Sequence, residues 1–236
     1  MSPKKADTEP SAPGAIWFRA RPPARARGSL DRNAIAHAAV EVLDETGIAG
    51  LSLRALASRL GVHATSLYWH VSTRDDLLDL AVDTVFAGVA EPGEPGDDWA
   101  DDVAGFMRSL RAALLRHPWS GALAASRPLL GPEALQRSEF VYACLSRAGF
   151  TGAALTAAAA AVSNLVIGSV AAQAAWEGQD EAAARRAMHD HLRANADRYP
   201  TLGALPDTRT DSWPDQFERA MDALLRGLAA QLNERK

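Results

Sequence analysis

The sequence predicts an all-α protein, and three observations carry that prediction. Hydrophobic residues make up 47% of the 236 residues, yet aromatics are only 6%. The apolar content is instead rich in alanine, the strongest helix former, whereas strands favour β-branched and aromatic side chains. Apolar residues recur at helical spacing from Ile35 to Leu232, and no segment alternates convincingly as a strand would.

Residues 1–28 read as a flexible basic arm. They hold Pro3, Pro10, Pro13, Pro22 and Pro23 together with Lys4, Lys5, Arg19, Arg21, Arg25 and Arg27, and they lack periodicity. Residues 29–74 read as three helices. Asp31 is a good N-cap, and Ile35, Ala39, Val42 and Leu43 line one face until Thr46-Gly47 stops the helix. Ser52 caps a short helix whose inner face is Leu53, Leu56, Ala57 and Leu60. Gly61 permits a tight turn, and a second short helix follows over residues 64–70. Ser72 to Asp75 has capping-box spacing and opens a longer helix through Leu77, Leu78, Ala81, Val82 and Val85.

The stretch EPGEPGDD at 91–98 breaks that helix. Everything after it reads helical: residues 99–116, 133–148, 153–176, 181–199 and 212–232. Residues 75–236 thus form a helical C-terminal unit. The 153–176 segment is apolar nearly all round and crowded with small residues, which lets backbones approach closely. The 212–232 segment carries a stripe of Phe217, Met221, Leu224, Leu225, Leu228 and Leu232. Both suit a four-helix dimer interface.

Several classes are excluded or disfavoured. The single cysteine, Cys144, allows no internal disulfide and no Cys-rich zinc site, and it points to the cytoplasm. No run of 18 apolar residues marks a membrane span, and no apolar signal core opens the chain. No HExxH, GxSxG, P-loop or GxGxxG suggests an enzyme. His189 and His191 are two apart and fall on different helical faces, and the acidic run Asp97, Asp98, Asp101, Asp102 reads as a solvated helix start.

The net charge is −4, but it is unevenly placed. Residues 1–74 carry ten Lys+Arg against six Asp+Glu, and residues 75–236 carry fifteen against twenty-three. A basic front on an acidic body implies that one end meets an anionic partner. The two short helices joined across Gly61 supply the means, a helix-turn-helix. Such a helix enters a major groove when its outer face offers hydrogen-bonding groups and its inner face is pinned, here by Leu67 and Val71.

The stretches LDRNAIAHAAVEVLDETGIAGLSLRALASRLGV (30–62) and TSLYWHV (65–71) resemble the tetracycline-repressor (TetR) family. The resemblance implies an Ω-shaped helical homodimer with N-terminal heads on double-stranded DNA and a C-terminal core for a small-molecule effector. Carried over by position, DNA contacts fall on Ser52, Arg54, Thr65, Ser66, Tyr68, Trp69, His70 and Arg74. Ala64 departs from the family pattern, where a base-reading glutamine stands, so a different operator is expected. For His70, Tyr68 and Trp69 the alternative is plain packing. The arm stretch RARPPARAR at 19–27 fits a minor groove or a solvated tail equally well.

The C-terminal likeness runs through LRAALLRHP, Ser126 to Pro128, and Gly149-Phe150. By that likeness Ala90 and Leu123 replace two histidines of the drug site, one of them the metal ligand. Phe106 replaces an asparagine, Val141 a glutamine and Ser126 a threonine. A magnesium-chelated drug needs oxygen and imidazole ligands, so no metal and no other cofactor is expected. The expected effector is apolar or aromatic, in a cavity lined by Phe106, Leu110, Leu123, Ser126, Val141 and either Asn164 or Trp176. For each of these residues taken alone, core packing is the competing account. The function this implies is a ligand-released repressor on a palindromic operator. The rivals are an effector-independent helical adaptor and an enzyme acting on the bound molecule.

Overall fold

The computed structural model describes residues 13–19, 30–90, 93–205 and 212–233. Most of the expected arm, including Lys4, Lys5, Arg21, Arg25 and Arg27, lies outside those residues. Among the described residues there are eleven α-helices and one short 3₁₀ turn, and no strand.

Helix α1 (Arg32–Gly50) starts where the Asp31 side chain accepts the Ala34 N–H at 2.7 Å. The expected stop at Gly47 is a kink instead: Gly47 takes φ 67, and one more turn follows. The Ser52 hydroxyl caps α2 (Leu53–Leu60) by accepting the Ala55 N–H at 3.1 Å. That helix closes at Gly61 (φ 64, ψ 30), with the Val62 N–H on the Ala57 carbonyl and the Gly61 N–H on that of Ser58, a Schellman ending. α3 spans only Ala64–Leu67, shorter than the 64–70 expected. The chain continues as a turn, with the His70 and Val71 N–H groups both on the Leu67 carbonyl. His63 gives no side-chain cap, and so short a helix has little hydrogen bonding of its own to extend it.

α4 (Arg74–Ala87) is the spine that joins head to core, packing on α1 at one end and on α5, α6 and α7 further along. Its capping box is one residue later than the sequence suggested. Thr73 and Asp76 exchange side-chain and backbone hydrogen bonds, rather than Ser72 and Asp75. The reason is burial: Asp76 is 1% exposed and also accepts the Ser72 N–H and the Arg19 guanidinium.

The C-terminal unit comprises α5 (Trp99–Leu115), α6 (Ser120–Ser126), α7 (Pro132–Ala148), α8 (Gly152–Ala174), α9 (Glu181–Ala194), α10 (Pro200–Gly203) and α11 (Trp213–Asn233). α6 was not foreseen; seven residues of Ser, Ala and Gly around one leucine show no period. The expected 181–199 helix is interrupted after Ala194. α8 is long and apolar enough to span a membrane by length and composition, but it packs against α5, α6, α7 and α11 with Val162, Val166 and Val170 fully buried.

The apolar stripe of α11 is divided: Phe217, Met221 and Leu228 are buried, with the helix packed on α8 and α5 of its own chain, while Leu224, Leu225 and Leu232 stay partly exposed. The small-residue face of α8 is exposed through Ala157, Ala160, Asn164, Gly168 and Ala172. One expectation is overturned: not all of residues 1–28 is a solvated arm. Ala15–Phe18 forms a 3₁₀ turn packed on α4, and Ile16 is completely buried. One isoleucine between prolines and arginines leaves no periodic trace, yet it fills an apolar site.

Candidate nucleic-acid interface and ligand core

The segment 64–71, though a shorter helix than expected, keeps the expected inner and outer sides. Leu67 and Val71 are fully buried and pin it to the head. Thr65 and Ser66 are exposed, Tyr68 is 56% exposed and Trp69 74%. A tryptophan displayed to that degree is not filling a core, so for Tyr68 and Trp69 packing fails as an account. His70 is half-buried. Ser52 is exposed with its hydroxyl already on the Ala55 N–H.

The charges sort less simply. Arg54 is exposed and has no hydrogen-bond partner among the described residues. Arg59 is held by Glu45 and Glu41, which raise its pKa and occupy its fork. Arg74, expected to grip phosphate, is turned inward on the chain itself. Its Nε donates to the Leu51 carbonyl at 2.9 Å and its Nη2 to that of Ile48. It ties the α1–α2 corner to the first residue of α4 through two carbonyls at a helix end, of which that of Ile48 also accepts the Leu51 N–H. Among the described residues the head therefore offers hydroxyls, an indole, a phenol and one unengaged guanidinium, which suits base-edge contact.

Two polar joints tie the head to the core. The Asp44 carboxylate on α1 accepts the Trp119 indole N–H at 2.7 Å and lies 2.9 and 3.0 Å from His117 Nδ1. Along α4, Arg127 follows the last residue of α6. Its Nε donates to Asp79 at 2.6 Å, its Nη1 to Asp75 at 3.1 Å and its Nη2 to the Asp75 carbonyl at 3.0 Å. Burial opposes the charge of Arg127, but the Asp79 and Asp75 carboxylates outweigh it and raise the pKa. Burial also pushes up Asp83, although the Ala134 and Glu133 N–H groups hold it as it caps α7.

Of the expected effector residues, Phe106, Leu110, Leu123 and Val141 share one buried core, where the Phe106 ring meets Phe140 at 6.3 Å. The others do not join them. Asn164 is on the exposed face of α8, Trp176 is half-buried beyond that helix, and Ser126 is exposed with its hydroxyl on the Ala122 and Leu123 carbonyls. A shallow crevice, with room for about 10 Å³, lies elsewhere, between Trp17, Val82, Asp83, Leu129, Leu130 and Ala134. Sequence reasoning missed Arg137, which is 4% exposed and donates to the Val89 carbonyl at the end of α4 at 3.3 Å. An arginine in step with Ala134 and Val141 was the available signal. Among the described residues no three His, Cys, Asp or Glu are grouped to hold a metal.

Comparison with known proteins bears on both halves. A family model described as bacterial regulatory proteins, tetR family, matches residues 35–81, and one described as tetracyclin repressor-like, C-terminal domain, matches 91–232. An HTH-type transcriptional regulator of Saccharopolyspora erythraea is 52% identical over 226 residues, 96% of each chain. The HTH-type transcriptional repressor DrrR1 of Streptomyces coeruleorubidus is 30% identical, covering 94% of this chain and 86% of its own. Among solved structures, ActR of Streptomyces coelicolor in complex with actinorhodin superposes with a TM-score of 0.80 at 29% identity, over 89% of this chain and all of that one.

Proposed function

Since the chain belongs to the TetR family of bacterial regulatory proteins, we propose that it is a cytoplasmic repressor. In this reading it binds a palindromic operator as a homodimer and is released by a small apolar or aromatic effector. Residues 29–74 form the DNA-binding head, and residues 75–236 form the effector and dimerisation core. The observation that carries the reading is the pinned recognition turn: Leu67 and Val71 buried beneath Thr65, Ser66, Tyr68 and Trp69, with Arg54 unengaged beside them. Those groups read bases and phosphates; Ser52 and His70 border them, and Arg74 holds their frame.

The exposed small-residue face of α8 supports a dimer, because alanine and glycine let two copies approach closely. Two heads then meet successive major-groove faces about 34–36 Å apart. Phe106, Leu110, Leu123 and Val141 supply an apolar lining, and an ActR structure in complex with actinorhodin supports a small-molecule guest for this architecture. Release needs only that the effector prefer a core with different head spacing; a coupling of about 3 kcal/mol changes operator affinity roughly 150-fold. The relatives are regulators, and the reading includes no turnover of the guest.

Selection of bound sequences from random duplex DNA, alongside size-exclusion chromatography with light scattering, tests this. The expected result is a dimer that enriches a two-fold site with half-sites one helical turn apart. A monomer that enriches nothing at low salt overturns it.

A further inference from the structure

The N-terminal turn lies across the spine helix as a strap. Gly14 takes φ 82, and a side chain there would strike Leu130 at 2.9 Å. Its N–H donates to Asp79 Oδ2 at 2.7 Å. Ile16 is fully buried, and Trp17 lines the crevice against Val82, Leu130 and Ala134. Arg19 then closes the strap on the head side, with Nη1 and Nη2 on the two Asp76 oxygens at 2.8 and 2.6 Å and Nη1 also 3.0 Å from the Ser72 hydroxyl. The strap thus crosses α4 from the level of Asp83 to its first turn.

Asp79 is 5% exposed and has its two oxygens divided between two masters. Oδ2 holds the strap, and Oδ1 holds Arg127, the residue after α6, where the loop to α7 begins. We propose that Asp79 is a positioning residue that links the α6–α7 loop to the strap, so that displacement of Arg127 undocks residues 13–19 from α4. The physical reason is the cost of a buried carboxylate without its cation. Without Arg127, Asp79 keeps one neutral N–H donor and must be hydrated. Water reaches it by displacing the strap, which closes the site on its other side. A guest that shifts the end of α6 therefore acts on the head twice, through α4 and through Arg19 on Asp76.

The test is hydrogen exchange by mass spectrometry on the full chain, without DNA or effector. In the unmodified protein the amides of residues 14–19 are protected. Arg127→Met raises their exchange at least tenfold, to the level set by Ile16→Ser, while α11 exchanges as before; Arg127→Lys restores part of the protection. Arg127→Gln also removes the cation and serves if Arg127→Met does not fold, and Asp79→Asn added to Arg127→Met leaves no carboxylate to hydrate and regains strap protection. Unchanged strap exchange in both Arg127 variants overturns the proposal, as does a double variant that exchanges like Arg127→Met, or loss of protection spread evenly over the chain. A second arm uses the selected operator: Arg127→Met and Ile16→Ser weaken binding by the same factor, and the double variant is no weaker. Additive losses overturn the link. That arm rests on the operator reading; the exchange arm does not, so failure to find an operator leaves the strap result standing.

Discussion

Arg54 and Arg74 are two exposed arginines of one small head, and the structure assigns them opposite consequences on removal. Arg54→Ala takes away a guanidinium with no partner among the described residues, so folding stability should stay within about 0.5 kcal/mol of the parent. If each Arg54 neutralises one phosphate, its loss reduces the salt slope of binding by about 0.9 per head, hence about 1.8 per dimer. Across a fourfold change in salt, from 50 to 200 mM, that amounts to roughly a twelvefold smaller loss of affinity for the variant. Arg74→Ala instead strips the carbonyls of Leu51 and Ile48 of charged donors. For so exposed a group that costs about 1 kcal/mol of stability, with the slope unchanged. Fluorescence anisotropy on the selected operator at several salt concentrations, with urea melts of both variants, reads all four quantities. An unchanged slope for Arg54→Ala, or a reduced slope without loss of stability for Arg74→Ala, refutes the assignment.

Further outcomes follow from single sites. Gly61→Ala meets no atom within 4 Å, so its cost is only the left-handed backbone at φ 64, about 1–2 kcal/mol in a urea melt. Gly131→Ala has an ordinary backbone but places a Cβ 2.1 Å from Asp83 Oδ1; it should cost more, about 3 kcal/mol, and the reverse order would count against the packing described. Burial works to raise the pKa of Asp76, but the Arg19 guanidinium and the Ser72 and Thr73 N–H groups hold it below its ordinary value. Its contribution is therefore complete above the unfolded value of about 3.9 and is lost as pH falls through the lower folded value. Asp76→Asn should accordingly destabilise at pH 7, with the gap to the parent closing below about pH 4. Burial pushes the Cys144 thiol up to about 11 and leaves it 1% exposed, so iodoacetamide at pH 8 should label it only as fast as the chain unfolds.

The helices were legible where periodicity had room to show itself. α5, α7, α8 and α11 fall within two residues of their expected bounds because α5, α7 and α11 repeat an apolar face over four turns or more and α8 is a long unbroken run of small and apolar residues. α6 has seven residues and no such repeat, and the capping box shifted because both Ser72-Asp75 and Thr73-Asp76 satisfy the spacing. Burial against Arg19, which is 57 positions away in sequence, decided between them. The recognition turn was legible for a different reason: its inner and outer residues differ in chemistry over a few positions. Arg74 was not, because its partners are backbone carbonyls, and a carbonyl turned outward at a helix end has no letter in the sequence. The direction of the α11 stripe was ambiguous in the same way, since an apolar face records that something covers it and not which chain does.

The aspartates of α4 turn that limit into an argument about the switch. Asp76, Asp79 and Asp83 lie at spacings of three and four, on a face that amphipathic reasoning assigns to water, yet all three are buried. Each is met by a donor from a different part of the chain: Arg19 of the strap, Arg127 after α6, and the first N–H groups of α7. A spine packed only by leucines tolerates small slides, because apolar contacts are not directional. A buried carboxylate does not, because its stability depends on donors at fixed distance. The helix that joins head to core is thus indexed by three buried carboxylates, and in the proposed reading a guest that breaks one of their contacts forces a discrete rearrangement instead of a graded strain.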